Sequence, residues 1–495
     1  MTRRSIALAA LTTAAAALLA VAFSPAHAQE APPSGPPAGE AWIDLTRADV
    51  EGAYALLRDN HPAARPELDD PAFVDRLERG RALALERAAQ VRDQNGHRAV
   101  LSGFATGMGD GHISYRTSFV PDLAWSGLMF SRADDGWRVG LHEVRPGETD
   151  LTGARLIACD GQDADALADA WVGGFKADFS VEAEKRLKAF QLLIHDGNPF
   201  LTRPAACRFD LNGATVEHRL DWRATTRDAI IAHVPKVRRL GLAGFGLRPF
   251  AGGQWIAIQQ LDERALPVVE AVKAQAETLR AAPIVVLDLR GNGGGSSSLG
   301  IDVAEALLGE PFVEARKGND ACAALWRASP GNIEAMKTTY RALDRGPEFA
   351  AWVEASIAGM ERALAAGEPF DQPVPDCPAT SAAATADATP PASLFPGKLV
   401  LITDEACFSS CLLVTDAFRR FGALHLGHAT QRGVRYMEVR NAPLPSGLGQ
   451  FSTLQKVVIG LGDLGPYEPD VTFPGPMDDD AALEAWVERT VAERR

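Results

Sequence analysis

A serine between a buried strand and a helix is the first feature of the sequence that suggests chemistry. Ser409 follows the apolar run 399–403 and precedes a predicted helix over 410–421. A serine there can expose its hydroxyl, and the backbone N–H of Ser410 at the helix start points into the same space. The arrangement suits a nucleophile beside an oxyanion donor. Taken alone, however, Ser409 is better explained as a helix N-cap, and the chain contains no G-x-S-x-G elbow.

A glycine-rich segment, residues 288–295, closes a second apolar strand predicted at 284–289. Its sequence is Asp-Leu-Arg-Gly-Asn-Gly-Gly-Gly. Glycines let the backbone approach a ligand closely and expose its N–H groups. The segment matches neither the dinucleotide pattern G-x-G-x-x-G nor the phosphate pattern G-x-x-x-x-G-K-[ST], which argues against a dinucleotide or phosphate site. Charged and amide side chains at a strand end indicate a functional turn rather than a plain one.

Three histidines are candidates for the base that would activate the serine. His112 lies far upstream in the segment 109–114, Gly-Asp-Gly-His-Ile-Ser, whereas His425 and His428 follow the serine. Neutral imidazole suits the role because its pKa lies near the working pH. A turn histidine that caps the preceding helix is the alternative for His112. His425 alternates with apolar neighbours and is expected in a strand, and His428 is the fallback base.

Together, the glycine-rich segment and the serine turn resemble the C-terminal processing (tail-specific) serine peptidase family, which includes tricorn-like relatives. In that family a D-x-R-x-N-x-G-G segment closes one strand, and a serine follows a later strand and precedes a helix and G-x-x-T. Here Gly427–Thr430 supply the last pattern. The resemblance covers about 240–475 and a short upstream segment. It implies Ser409 as nucleophile and the N–H groups of Gly294 and Ser410 as oxyanion donors.

The chain departs from the common branch of that family in its base. The lysine expected after G-x-x-T is missing from 431–434, and Leu412 replaces a frequent glutamate, so a Ser–Lys pair is not expected. The tricorn-like branch uses an upstream histidine in a D-x-H segment, which implies His112 as base. Gly111 stands where tricorn has a serine. In the same branch an acid precedes a G-x-x-P-D segment near the C-terminus. The resemblance therefore implies that Asp463 orients the base or a bridging hydroxyl; the alternative is a solvated loop aspartate.

The hydrophobic pattern around these residues predicts an α/β protein. Strand, helix and strand between 254 and 289 imply a parallel sheet, and the resemblance implies a crotonase-like core. Thr46 is predicted to cap the first helix, which should end before Pro62. We divide the chain into a signal peptide (1–28), a disordered leader (29–40), an N-terminal helical region (41–117), a PDZ-like mixed β module (118–235), the α/β core (236–315 and 395–477), a helical insertion with a Pro/Ala-rich linker (316–394) and a C-terminal helix (478–495).

The PDZ-like prediction depends on residues 155–161, which resemble the strand and Asp-Gly turn of such a module. An edge strand there could bind the C-terminus of a substrate. Residues 165–172 and 181–195 are predicted to be helices within the module.

The N-terminus predicts export to the periplasm or secretion. Arg3 and Arg4 precede an apolar run over 6–23, and Ala26-His27-Ala28 forms a small-x-small cleavage site. Cleavage would remove both arginines and take the formal net charge from −14 to −16. An acidic surface disfavours nucleic acids and anionic membranes as partners. We therefore expect a protein or peptide substrate, no membrane insertion after cleavage, and a possible oligomer.

Six cysteines in an oxidising compartment allow up to three disulfides. Position favours Cys159 with Cys207 and Cys322 with Cys377. Cys407 and Cys411 flank Ser409 and could form a local disulfide or remain as buried thiols. No cysteine or histidine cluster has metal-ligand spacing, and the proposed chemistry needs no cofactor.

Two other functions remain compatible with the sequence. A non-catalytic binding protein on the same scaffold would explain the missing lysine and glutamate, because fold does not determine function. A serine hydrolase acting on non-peptide esters would use the same residues. His112 within its D-x-H segment favours the peptidase.

Overall fold

The computed structural model describes residues 39–316, 323–343, 346–377 and 391–494, all within one compact unit, Ala38–Arg495. The signal peptide and most of the leader lie outside these residues. The strands are β1 (Tyr115–Thr117), β2 (Leu123–Trp125), β3 (Leu128–Ala133), β4 (Gly136–His142), β5 (Arg155–Cys159), β6 (Gln162–Asp163), β7 (Ile194–His195), β8 (Ala206–Leu211), β9 (Ala214–Arg219), β10 (Arg223–Thr225), β11 (Phe245–Phe250), β12 (Gly253–Ile258), β13 (Ile284–Asp288), β14 (Ala323–Trp326), β15 (Lys398–Thr403), β16 (Leu424–Gly427), β17 (Tyr436–Pro443), β18 (Gly449–Ile459) and β19 (Val471–Thr472).

The helices, in chain order, lie between and around these strands. They are α1 (Ala41–Asn60), α2 (Pro71–Ala88), α3 (Gln94–Thr106), α4 (Ala164–Ala168), α5 (Glu182–Lys188), α6 (Arg227–Arg238), α7 (Leu266–Ala274), α8 (Ala276–Arg280), α9 (Ser297–Leu308), α10 (Glu310–Arg316), α11 (Pro330–Ala335), α12 (Pro347–Ala366), α13 (Ser410–Arg420) and α14 (Asp480–Glu493). Within the described ranges, none of them is both long and apolar enough to cross a membrane.

The central sheet has the order β11-β12-β13-β15-β16-β19, and every pair after the first is parallel. The strands predicted at 255–258, 284–289 and 399–403 are confirmed. Their side chains are buried on both faces, under helices α7, α9 and α13 on one side and α14 on the other. Parallel strands end at the same edge of a sheet. The turns after β13 and β15 therefore leave the sheet side by side.

A second sheet joins distant parts of the chain around β18. This strand pairs with β17 along one side and with β1 and β14 along the other, all antiparallel. Ser452 on β18 accepts a hydrogen bond from the Ser114 N–H at 2.6 Å and donates to the His112 carbonyl at 2.7 Å. The sheet thus anchors the upstream histidine segment to the half of the chain that contains Ser409. Strand β14 lies in the insertion, which is therefore not entirely helical.

The β module is an antiparallel sheet of order β3-β4-β5-β8-β9, with β6 on β5. The predicted disulfide between Cys159 and Cys207 is confirmed and joins directly paired residues of β5 and β8. Cys377 is also disulfide-bonded, whereas Cys322 lies outside the described residues.

Two local predictions are wrong. Thr46 does not cap the first helix, because α1 begins at Ala41 and the Thr46 hydroxyl donates to the Trp42 carbonyl inside the helix. A threonine inside a helix can bond the carbonyl four residues earlier in this way. The single helix predicted over 181–195 is only α5, which ends at Lys188 and is followed by a turn and strand β7. Tertiary pairing of β7 with β2 prevails over its helical pattern.

Candidate active site

Ser409 occupies a sharp turn between β15 and α13. Its backbone has φ +58° and ψ −126°, a region that residues with a side chain rarely adopt. Strain of this kind persists only where the surrounding structure enforces it, and it concentrates at functional sites. The Ser409 side chain makes no capping hydrogen bond to α13. The capping explanation is therefore excluded, and the partly exposed hydroxyl is available for chemistry.

A disulfide encloses the serine turn. Cys407 and Cys411 are bonded to each other, and both are fully buried against the core on which α13 packs. The ring contains only five residues, with Ser409 at its centre. A short loop gains less stability from cross-linking than a long one does. The bond therefore acts chiefly on the local shape of the turn.

This disulfide is expected to matter more for activity than for stability. Replacing Cys407 and Cys411 with alanine should lower kcat/KM at least about tenfold, because the Ser409 backbone can then relax. The free energy of unfolding should fall by about 2 kcal/mol on the chain-entropy account. Replacing Cys159 and Cys207 with alanine is the control. We expect the free energy of unfolding to fall by about 4 kcal/mol and kcat/KM to stay unchanged. Equal effects of both variants on kcat/KM would contradict the local role.

The glycine-rich segment packs directly against the serine turn. Asp288 and Arg290 form a buried ion pair at 2.7 Å, and the Asn292 side chain donates to the Ile258 carbonyl at 2.8 Å. A Cβ added to Gly294 would lie 2.8 Å from the Ser409 Cβ and 3.0 Å from the Ser410 nitrogen. Only glycine permits this approach. The segment's charged and amide side chains therefore hold a backbone turn in place.

The two predicted oxyanion donors differ in their present partners. The Ser410 N–H, at the first position of α13, has no acceptor among the residues described by the structure. The Ser410 hydroxyl donates to the Gly295 carbonyl at 2.6 Å and ties the two turns together. The Gly294 N–H instead donates to the Asn292 Oδ1 at 2.9 Å. Ser410 therefore presents an available donor, and Gly294 would have to exchange its acceptor.

His112 reaches the serine turn from the opposite half of the chain. Its ring packs on Phe408, the residue before Ser409, with ring centroids 4.4 Å apart. The Nδ1 atom lies 2.9 Å from the Asp110 Oδ1, which also accepts the His112 backbone N–H at 2.9 Å. A carboxylate accepts only, so Nδ1 carries a hydrogen, and in the neutral ring Nε2 holds the lone pair. This is the tautomer that a general base needs.

Asp110 is held as an anion although it is buried. Burial raises its pKa, but the hydrogen bonds and attraction from His112 outweigh burial, and the net shift is downward. Its side chain is only 8% exposed. The carboxylate therefore stabilises a protonated His112 in an environment with little screening.

Ser409 and His112 line one cavity of about 230 Å³. Its remaining walls are mostly apolar and come from α13, β17 and their flanking loops; they include Leu413, Val434, Tyr436, Met437, Glu438, Val439 and Leu464. A larger cavity, about 380 Å³, shares Phe408 and Asp110 with this region, but neither Ser409 nor His112 lines it. Because reaction requires both groups, the smaller cavity is the candidate active site.

Asp463, the acid predicted to orient the base, is exposed and precedes Leu464, which lines the cavity. The acid in contact with His112 is Asp110, which forms a turn with the residue two positions later. That D-x-H spacing was visible in the sequence and could have identified Asp110. Among described residues, no group of three His, Cys, Asp or Glu side chains could hold a metal ion.

The two later histidines have structural partners at both ring nitrogens. His425 lies in β16, as predicted, and contacts the Thr403 hydroxyl and the Arg419 guanidinium, each at 2.7 Å. His428 contacts the Glu405 carboxylate and the Phe473 carbonyl, each at 2.9 Å. Neither lines the cavity that contains Ser409. The fallback base is therefore already engaged in the fold.

The contact between His428 and Glu405 predicts a pH-dependent contribution to stability. Burial lowers the pKa of His428, but the Glu405 carboxylate outweighs burial and raises it above the usual value. The stabilisation is complete below about pH 6.5 and is lost as the pH rises through the folded-state pKa. His428→Gln should therefore lower the Tm more at pH 6 than at pH 9, and the reactivity of Ser409 should persist. A large activity loss at unchanged Tm would return His428 to the active site.

Comparison with known proteins gives one family match and several structural matches. Peptidase family S41 matches residues 255–459. Mature CPAF aligns over 92% of this chain and 98% of its own, with 13% identity and a TM-score of 0.54. CPAF complexed with lactacystin gives 92% and 99% coverage, 14% identity and a TM-score of 0.54. The photosystem II D1 C-terminal processing protease covers 87% and 93% at 11% identity, with a TM-score of only 0.32. No curated protein sequence matches the chain.

The family match concerns part of the sequence, whereas the structural matches concern the fold of nearly the whole chain. At 13–14% identity, the CPAF structures show a shared fold over almost the whole chain. The family match covers β12 to β18, and therefore includes the glycine-rich segment and the Ser409 turn but not His112. Residues 255–459 of the chain match peptidase family S41, and this match supports a serine peptidase.

Proposed function

We propose that the protein hydrolyses peptide bonds of exported proteins or peptides through an acyl-enzyme on Ser409. The observation that carries this assignment is the shared cavity. It contains a serine that has a strained backbone and does not cap α13 with its side chain, and a histidine whose Nδ1 is hydrogen-bonded to Asp110. His112 is the general base, and Asp110 is the positioning residue that orients it.

The reaction follows from these groups in two steps. His112 Nε2 takes the proton of the Ser409 hydroxyl as the oxygen attacks the peptide carbonyl, and then gives it to the leaving amine. Asp110 remains ionised and stabilises the imidazolium throughout. Water, deprotonated by the same imidazole, then attacks the acyl carbon, and the imidazolium returns a proton to the Ser409 oxygen as the ester bond breaks. His112 carries every proton transfer, and Asp110 transfers none.

The negative charge of each tetrahedral intermediate develops next to the start of α13. We assign the Ser410 N–H as the first oxyanion donor, supported by its free backbone hydrogen. The Gly294 N–H would be the second donor after leaving Asn292, since hydrogen bonds in unliganded sites often rearrange on binding. Losing one such donor typically costs about 10²–10³ in kcat.

The finer architecture and location form part of the same proposal. The parallel sheet with glycine-rich and serine turns at one edge supports a crotonase-like core. The antiparallel sheet β3-β4-β5-β8-β9 supports a PDZ-like role for the module in substrate binding. The disulfides support an oxidising compartment, the periplasm or the exterior.

A fluorophosphonate probe tests the proposal without a known substrate. The native protein should incorporate one probe molecule, and mass spectrometry should locate it on the peptide that contains Ser409. Heat-denatured protein is the control, because activation of Ser409 depends on the folded site. Failure of the folded protein to react would favour the binding protein over any hydrolase. Peptide and ester substrates would then separate the two hydrolase alternatives.

A further inference from the structure

His61 is a buried histidine close to the active site that the reaction described above does not use. It follows α1, is fully buried, and stacks on Phe73 with ring centroids 4.3 Å apart. Its ring also meets the edge of Tyr436, which lines the Ser409 cavity, at 4.9 Å. A histidine completely removed from water needs a partner for each ring nitrogen.

The tautomer of His61 follows from its backbone contact. The Ala63 N–H donates to Nδ1 at 3.1 Å, so Nδ1 holds a lone pair. Burial lowers the pKa of His61 to about 4, and the ring is neutral at pH 7. The ring hydrogen is therefore on Nε2, which has no hydrogen-bond acceptor among the described residues.

Within the ranges that the structure describes, His61 has a donor that lacks an acceptor, whereas Asp110 has an oxygen that lacks a hydrogen-bond donor. Its Oδ1 accepts two hydrogen bonds from His112, whereas Oδ2 is buried and has no donor within the described part of the chain. Of the charged groups that act on His61, Asp110 exerts the strongest effect, ahead of Asp70 and Arg76. Both oxygens of Asp70 are already occupied, by the Phe73 N–H and the Tyr436 hydroxyl.

We propose that His61 is a positioning residue that donates its Nε2–H, through ordered water, to the Asp110 Oδ2. The relay then runs from His61 to Asp110, His112 and Ser409, and it rests on the function proposed above. Buried water characteristically bridges polar groups that lack a direct partner. The role of His61 is to fix the Asp110 carboxylate, so that its other oxygen keeps His112 in the reactive tautomer.

Two substitutions separate this role from that of a turn residue. His61→Gln places an amide N–H near the Nε2 position but loses the acceptor for Ala63. His61→Asn keeps an acceptor near the Nδ1 position but cannot reach Asp110. If His61 acts on Asp110, the fluorophosphonate labelling rate should fall about 10- to 100-fold in His61→Asn and stay within about threefold in His61→Gln. The opposite ranking, with Asn active and Gln impaired, would show that His61 serves only the turn.

A double-mutant cycle with Asp110→Asn then tests the route of the effect. His61→Asn should have little further effect on labelling in the Asp110→Asn background, whereas multiplying losses would overturn the relay. Arg76→Met is the control for the other buried donor nearby, the Arg76 Nε, and should label at the wild-type rate. Tm values identify any variant that has simply unfolded. Absence of labelling in the wild type would refute the proposed function itself, a result distinct from every outcome above.

Discussion

Replacing Ser409 with alanine is expected to abolish peptide hydrolysis, with a loss of at least about 10⁴ in kcat. The variant loses the atom that forms the acyl-enzyme, and the oxyanion donors alone support only weak catalysis. Alanine also leaves the turn between β15 and α13 intact, since the Ser409 side chain caps nothing. Cleavage of casein or a fluorogenic peptide mixture measures the loss.

Ser410→Ala is the matched control for this experiment. It removes the neighbouring hydroxyl, which donates to the Gly295 carbonyl, but keeps the backbone N–H assigned as an oxyanion donor. We expect a loss of about tenfold or less, with an unchanged substrate pattern. Full activity in Ser409→Ala together with inactivity in Ser410→Ala would transfer the nucleophile to Ser410.

Replacing Asp110 with asparagine is expected to lower kcat by about 10²–10⁴ with little change in KM. One Asp110 oxygen accepts both the His112 backbone N–H and the Nδ1–H, so an asparagine that keeps its oxygen there preserves the turn and the tautomer but loses the negative charge that stabilises the imidazolium. An asparagine that turns its NH2 group toward these donors would instead force the imidazole hydrogen onto Nε2 and remove the lone pair that must accept the Ser409 proton. Peptide hydrolysis and labelling rate should fall together.

The comparison variant is Asp463→Asn, which changes the acid predicted from the family resemblance. Asp463 is exposed, and the acid bonded to His112 Nδ1 is Asp110. We expect its kcat to stay within about threefold of wild type, as for most surface substitutions. A collapse of activity in Asp463→Asn, with Asp110→Asn active, would mean that the loop before Leu464 closes over His112 during catalysis.

The parts of the site that sequence predicts well are the local ones. The apolar strands β13 and β15 and the turns that follow them carry their own signals in short windows of hydrophobicity and glycine. Parallel pairing of these strands then brings the two turns together. The disulfide of Cys407 and Cys411 was one of two alternatives, because spacing alone could not choose between a bond and buried thiols.

The contact between His112 and the serine turn could not be derived from periodicity. It depends on the pairing of β1 with β18. In that pairing the Ser452 hydroxyl accepts a hydrogen bond from the Ser114 N–H and donates one to the His112 carbonyl, although these residues are more than 330 positions apart in the sequence. Only the family resemblance suggested it. The family resemblance implied Asp463 as the orienting acid, whereas the acid bonded to His112 Nδ1 is Asp110, two residues before it. His61 has no motif, since its role follows from its burial and tautomer.

A crystal structure of the fluorophosphonate adduct would test the central claim most directly. Phosphorus should be bonded to the Ser409 Oγ, with a phosphonyl oxygen about 2.7–3.1 Å from the Ser410 nitrogen. The His112 Nε2 should lie within about 3.2 Å of the Ser409 Oγ, with Asp110 still on Nδ1. Phosphorus on another residue, or an imidazole turned away with a different group as base, would contradict the account.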